Sequence, residues 1–281
     1  MIAEETVGME RHQVLPDLAS LRALLRDCAR EELLPRFADV RRQVKPDGSL
    51  VTEADIAMQR RMQQELTRRW PRYAFLGEEM SAVEHERLAA LSEPGLWCLD
   101  PLDGTSNYAA GVPFFAVSLA LLVRGRPEIG LVYDPVRDEC FTAQRGAGAW
   151  LNDTALRARA MGLELRRSLA VVDFKRLDSR LAQELVAHPP YGSQRNFGSS
   201  SLEWCWLADG RFHLTLHGGQ KLWDYAAGSL ILAEAGGSAQ TLDGQEVFAL
   251  GLKPRSVVAA LDPELFRAWR DCLAKVRETP G

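Results

Sequence analysis

Residues 99–107 read LDPLDGTSN: Asp100 and Asp103 close an apolar run, and a glycine, two hydroxyl residues and an asparagine follow at once. Carboxylates this close repel one another and resist burial. The chain must therefore deliver them to the end of a strand and then turn. Two other acidic stretches have the same setting. Gly77-Glu78-Glu79 follows the apolar Ala74–Leu76, and Asp224 follows Lys221-Leu222-Trp223 and opens a helical pattern. In α/β folds ligands gather beyond the carboxyl ends of strands. If these ends converge, Glu78, Asp100, Asp103 and Asp224 crowd into one pocket.

The apolar pattern supports a layered α/β architecture. Apolar residues at Leu18, Leu21, Leu24, Leu25, Leu33 and Leu34 predict a long amphipathic helix from Pro16 to about Val40. Pro46-Asp47-Gly48-Ser49 signals a turn, and Thr52 caps a second helix running to about Arg69. Short strands are expected at Ala74–Leu76, Leu96–Leu99, Phe114–Val123, Glu128–Tyr133, Glu139–Gln144 and Ala149–Leu151, several joined tightly enough to be antiparallel. The second half alternates. Strands at Ser168–Asp173, Gln194–Phe197, Phe212–Leu216, Gly237–Gln240 and Val257–Ala260 interleave with helices at Leu177–Ala187, Ser199–Leu207, Asp224–Ala235 and Pro263–Val276. Such alternation argues for helices on both sheet faces. The best boundary falls near residues 152–167, giving an N-terminal α+β half over 1–155 and a C-terminal α/β half over 156–281.

Composition excludes several classes. The net charge of −4 over 281 residues gives no global bias toward nucleic acid. The five cysteines are odd in number, widely spaced and without a CxxC pair, so free thiols in a reducing compartment are expected. No apolar run reaches the ~18 residues of a membrane span, and the N-terminal stretch lacks a secretory core, so a cytoplasmic protein is expected. His12, His85 and His188 stand in polar contexts and read as solvent-exposed, whereas His213 reads as structural.

Each acidic stretch alone has a plainer reading: Glu78-Glu79 as a solvated loop, Asp100 and Asp103 as turn and cap residues, Asp224 as an N-cap. Together they point to metal. Oxygen-only ligands select a hard cation such as Mg²⁺ or Mn²⁺. Four carboxylates exceed what one Mg²⁺ normally takes from protein, so two ions sharing an aspartate are expected, clamping a phosphate and generating a nucleophilic water. Gly104, Thr105 and Ser106 offer amides at a helix start, suited to phosphate oxygens.

GEE, then LDPLDGTSNYAAGVPFFAVSLAL, then WDYAAGSLILAEAGG resembles the inositol monophosphatase family of metal-dependent, lithium-sensitive phosphomonoesterases. KPDGSLVTEAD is similar to that family's Lys…Val-Thr-x-x-Asp segment. The resemblance implies an αβαβα sandwich, usually a homodimer, acting on a small phosphorylated metabolite. It implies one Mg²⁺ on Glu78, Asp100 and the Leu102 carbonyl, and a second on Asp100, Asp103 and Asp224. A third, weaker ion would sit near Glu78, with Glu79 close by. Thr105 and Asp55, with Glu78, would orient and help deprotonate the attacking water. The Gly104 and Thr105 amides would bind phosphate, and Lys45 would lie near the active-site loop. Gly198, Ser199 and Ser200, with Asp103 and Asp224, would line the substrate side.

The chain departs from the family pattern at His217, where inositol-specific members carry a glutamate that accepts from inositol hydroxyls. Imidazole offers fewer acceptor sites and can carry positive charge, so a second phosphate, a carboxylate or another acceptor is an expected alternative; the plainer reading is a strand-end cap. The rival enzymes are histidinol-phosphate, fructose 1,6-bisphosphate and phosphoadenosine-phosphate phosphatases, the bisphosphate case favoured by Lys221 or Arg195 near the substrate. A rival of another class is a regulatory RNA- or protein-binding member. The intact acidic set argues against a vestigial site, and the negative net charge argues against RNA binding as the main role.

Overall fold

Asp17 accepts from the Ala19 and Ser20 amides and opens helix α1 (Leu18–Glu32). In the computed structural model, which describes residues 15–37, 42–45, 50–89, 94–158 and 161–278, α1 ends short of the expected Val40. Pro35, in the 3₁₀ turn Leu34–Arg36, lacks the amide that an α-helix would need there. Strands β1 (Arg42–Val44) and β2 (Leu50–Thr52) pair antiparallel, and the Pro46–Ser49 turn expected between them lies outside the described residues. Thr52 then caps α2 (Glu53–Arg69), with Asp55 reaching back to the Thr52 amide in a reciprocal capping box.

The first sheet comprises β3 (Ala74–Gly77), β4 (Leu96–Asp103), β5 (Ala116–Val123), β6 (Arg126–Asp134), β7 (Glu139–Gln144), β8 (Gly148–Leu151) and β9 (Thr154–Leu156). These strands neighbour one another in chain order, antiparallel except for the parallel β3–β4 pair. Helix α3 (Ala82–Ala89) bridges that parallel pair, and the short α4 (Thr105–Ala109) follows β4. Alternation along β5 sorts its side chains. Val117, Leu119 and Leu121 face the cluster that holds α1 and α2, while Ala116, Ala120 and Leu122 face the cluster on the other side. With both faces covered, β5 is buried along its whole length. Truncating Leu119 to alanine would cost about 2–5 kcal/mol.

The second sheet contains β10 (Leu169–Asp173), β11 (Ser193–Arg195), β12 (Leu214–Gln220), β13 (Ser238–Gln240) and β14 (Arg255–Ala260) in the order β11-β10-β12-β14-β13. Helices α5 (Ser179–Ala187) and α8 (Pro263–Glu278) cover one face. Helices α6 (Ser200–Ala208) and α7 (Leu222–Glu234) lie between the two sheets, within the largest core cluster. The layers are therefore αβαβα, the expected sandwich.

Two boundary differences bear on the cleft. β12 runs past Leu216, through an irregularity between His217 and Gln220, so His217 lies within the strand. Helix α7 starts at Leu222, so Asp224 is its third residue rather than its N-cap, and its carboxylate accepts from the Lys221 amide at 2.8 Å.

Candidate active site at the strand ends

Parallel pairing sends the carboxyl ends of β3 and β4 the same way, and the Glu78 amide still donates to Leu99 O at 3.0 Å. β4 continues through both aspartates instead of ending at Leu99. Asp100 lies opposite Ser118 and Asp103 opposite Ala116, so the register slips between them and the strand bulges. The Leu102 amide closes onto Asp100 Oδ1 at 3.0 Å. Gly104 then adopts φ +92°, and a Cβ there would stand 3.0 Å from Phe114 O. Only glycine makes this turn into α4 without strain.

Glu78, Asp100, Leu102, Asp103 and Asp224 all line one cleft of about 520 Å³, together with Gly104 and Thr105. Gly198, Ser200, His217 and Lys221 line it as well. Asp55 sits buried behind Thr105, whose Oγ1 is 3.1 Å from Asp55 Oδ1 and 2.9 Å from Leu102 O. Asp55 Oδ2 accepts from the Thr52 amide and hydroxyl at 2.7 and 2.6 Å. Lys45 bridges Glu79 at 2.6 Å and Glu78 at 3.3 Å.

Two expected substrate contacts fall elsewhere. Ser199 is buried, and its hydroxyl donates to Asp103 Oδ2 at 2.8 Å, beside the Ser201 amide and hydroxyl at 2.6 Å. Three donors on one oxygen fix the Asp103 carboxylate, which diverts Ser199 from the substrate side. Arg195 is exposed and turns back to Ser193 Oγ and the Gln194 carbonyl.

Electrostatics in the cleft are strained. Burial raises the Asp100 pKa well above the ordinary carboxylate range, and Glu78, Asp103 and Asp224 raise it further. Asp224 is raised in the same way, by burial, then Asp103 and Glu78. Burial outweighs the serine hydrogen bonds at Asp103, which is also raised. Asp55 is pushed up to about 6 and Glu79 to about 7, each chiefly by burial. Burial disfavours the Lys45 charge, yet Glu78 and Glu79 outweigh it and raise that pKa.

Among the described residues no three His, Cys, Asp or Glu side chains form a ready-closed metal cage. The donor chemistry nonetheless fits a hard divalent cation: all-oxygen ligands whose mutual repulsion a cation would relieve.

Several residues around the site were not singled out by the sequence. Asp173, Lys175 and Arg176 line the cleft beyond β10. Their signal was a strand end followed by two cations. Glu203, the one charged residue of its helix, accepts from the Phe197 and Gly198 amides, both at 3.0 Å. His85 is not a solvated loop residue. Its Nε2 lies 2.8 Å from Gly77 O and its ring centroid 4.9 Å from that of Trp223, tying the end of β3 to the start of α7. His213 accepts from the Leu169 amide and is structural, His188 is exposed beside Glu184, and His12 lies outside the described residues.

The model of the inositol monophosphatase family matches residues 19–278. Nus factor SuhB of Pasteurella multocida is 36% identical over 248 residues, covering 85% of this chain and 89% of that protein. Inositol monophosphatase 1 of Solanum lycopersicum is 34% identical over 238 residues, covering 82% and 84%. The crystal structure of extragenic suppressor protein suhB from Bartonella henselae matches with a TM-score of 0.78 at 27% identity, covering 91% of this chain and 99% of that one. An IMPase/NADP phosphatase solved with Mg²⁺ and phosphate shares the fold, with a TM-score of 0.77 at 24% identity and 94% of each chain covered.

Proposed function

The chain belongs to the inositol monophosphatase family, and from that premise we propose that it hydrolyses a small phosphate monoester, with water as the nucleophile, in the cleft around Asp100. One observation carries the reading: acids from two strand ends and a helix start line a single cleft, with the Thr105–Asp55 pair behind them.

Glu78, Asp100, the Leu102 carbonyl, Asp103 and Asp224 would hold Mg²⁺, as two or three ions, with Mn²⁺ as an alternative. When bound, the metal offsets the carboxylate charge and makes water acidic enough to attack near neutral pH. The other roles fall to the chain itself. Thr105 Oγ1 has one proton and two acceptors, Asp55 Oδ1 and Leu102 O. A proton leaving the attacking water passes to Thr105 Oγ1 as that hydroxyl gives its own to Asp55. Glu78 helps orient the same water. The Thr52 cap holds Asp55 in place for this step. The Gly104 and Thr105 amides, at the start of α4, receive the phosphate oxygens. The water oxygen bonds phosphorus, the ester P–O bond breaks, and the departing oxygen takes a proton from solvent water in the open cleft and leaves as the alcohol. Glu79 and Lys45 brace Glu78 from behind.

The test is phosphate release with and without Mg²⁺ from inositol 1-phosphate, glycerol 2-phosphate, histidinol phosphate, fructose 1,6-bisphosphate and phosphoadenosine phosphate. Mg²⁺-dependent, Li⁺-inhibited release supports the proposal. No release from any of them with Mg²⁺ or Mn²⁺ sinks it. A cytoplasmic homodimer belongs to the same proposal, checked by sedimentation. No helix among the described residues is long and apolar enough to cross a membrane.

Relatives named Nus factor SuhB favour a second reading, a regulatory role through contacts with RNA or protein. A gel shift with total RNA at physiological salt, and capture of partners on immobilised protein, would separate it from catalysis.

A further inference from the structure

The five-stranded sheet contributes its own wall to the cleft, and its chemistry differs from that of the acidic side. Asp173 ends β10, and the parallel pairing of β10 with β12 sets it opposite His217. The 3₁₀ turn Phe174–Arg176 follows, carrying Lys175 and Arg176 into the cleft lining, where Lys221 also stands.

His217 has no free acceptor to offer. Its Nδ1 accepts from the Gly219 amide at 3.0 Å, so the ring proton is on Nε2, which faces Asp173 Oδ2 at 3.3 Å. The residue is only 7% exposed. Asp173 is engaged too, because Oδ1 accepts from the Lys175 amide at 3.0 Å. Lys175 and Arg176 are exposed, and among the described residues neither side chain is hydrogen-bonded or ion-paired. Arg176 reaches Asp173 only through its field. The wall therefore sets three cationic side chains, Lys175, Arg176 and Lys221, against one carboxylate, Asp173, that already faces the His217 ring and the Lys175 amide.

The turn is also held in place by the chain. A Cβ at Gly218 would stand 1.7 Å from the Arg176 carbonyl oxygen. Glycine at this point of β12 is what lets the turn come down onto the cleft.

A neutral polyol needs acceptors as well as donors, because each hydroxyl both donates and accepts. A phosphate or carboxylate needs donors alone and gains most from charged ones. We propose that this wall is a subsite for a second anionic group, so that the preferred substrates are phosphate monoesters bearing a further phosphate or carboxylate. The inference rests on the phosphatase reading above and names its substrate class.

Three substrates that differ at one carbon test it: glucitol 6-phosphate, 6-phosphogluconate and glucitol 1,6-bisphosphate, assayed with Mg²⁺. The two with the extra anion should show kcat/KM higher by about tenfold or more, as one to two charge-assisted hydrogen bonds supply. The preference should shrink with added salt. In K175Q/R176Q, a surface double variant, the ratio between substrates should collapse toward one, chiefly through KM for the anionic pair. His217→Glu should turn the ratio toward the neutral polyol. A wild type that prefers glucitol 6-phosphate, or a double variant that keeps the wild-type ratio, overturns the subsite. The relative size of the carboxylate and bisphosphate effects separates the two sources of the anion. If none of the three is hydrolysed, the phosphatase reading falls only when the five-ester panel also releases no phosphate. Calorimetric binding of 6-phosphogluconate in Mg²⁺ then decides the subsite. Binding lost in the double variant supports it, whereas no binding, or binding unchanged, overturns it.

Discussion

Replacing Glu203 with glutamine should stabilise the protein, and increasingly so as pH rises. Glu203 is 7% exposed, and burial, offset in part by the Phe197 and Gly198 amides, pushes its carboxyl from the ordinary 4.5 up to about 8. A carboxyl raised in the fold contributes its full stability below about pH 4.5, where both states hold the proton. That contribution drains away as pH climbs toward the folded value, because the unfolded chain gains by ionising. At about 1.4 kcal/mol per pH unit the loss reaches about 4 kcal/mol by pH 8. Glutamine keeps an acceptor for both amides and never ionises, so it escapes the loss. Urea unfolding of wild type and E203Q, in chelator, at about pH 5 and about pH 8 reads the difference directly. The cleft acids other than Asp103 and Asp173, whose charges act on Glu203 directly, add the same slope to both proteins and cancel in the comparison. Parallel stability curves would refute the reasoning, because they would mean that Glu203 is not held neutral in the fold.

Other outcomes follow from the same geometry. Asp103→Asn should lose about a hundredfold or more in turnover, yet unfold no more easily without Mg²⁺, since it removes one of several repelling charges; wild-type turnover with Mg²⁺ would remove Asp103 from the metal assignment. Thr105→Val should drop kcat by about 10²–10³ while its unfolding free energy changes by about 1 kcal/mol at most; unchanged kcat would remove the proton path to Asp55. Gly218→Ala should destabilise by about 1–3 kcal/mol, read by thermal unfolding, because its Cβ meets the Arg176 backbone. Asp100, Asp103 and Asp224 are all raised, so the metal-free protein should lose stability as pH rises from about 5 to about 8, and Mg²⁺ should flatten that fall; calorimetry showing the same Mg²⁺ stabilisation at both pH values would contradict it.

The fold was legible wherever an element buries a continuous face. α2 was bounded correctly at both ends because its cap and its Trp70-Pro71 stop are local signals. The run Phe114–Val123 was read as a strand, though the strand itself begins at Ala116. α3 escaped notice because Leu88 is its one buried residue among those described, leaving no apolar period to detect. Its cap was nonetheless written in the chain, since Ser81 and Glu84 hydrogen-bond as a helix start. The end of α1 was missed for the opposite reason: Leu33 and Leu34 continued the apolar pattern while Pro35 quietly forbade the helix.

The acidic side of the cleft was legible for a related reason. Asp100 and Asp103 carry their setting with them, in a bulged strand end and a glycine turn that are adjacent in the sequence. The cationic wall carries a weaker local signature, a strand end followed by two cations, which does not say that they reach the cleft. Lys175 and Arg176 become part of the cleft only because β12, much later in the chain, pairs with β10 and offers a glycine where the turn must pass. His217 shows the limit most clearly. From sequence it is one acceptor fewer than glutamate. Its real consequence depends on Gly219 and Asp173, which occupy both ring nitrogens and leave the imidazole no acceptor for a substrate hydroxyl. Reaction type follows from residues that are neighbours in the chain, while substrate class follows from residues that become neighbours only on folding. A change at Gly218 or Asp173 should therefore alter substrate choice as surely as a change at His217, though neither belongs to a motif that marks the chemistry.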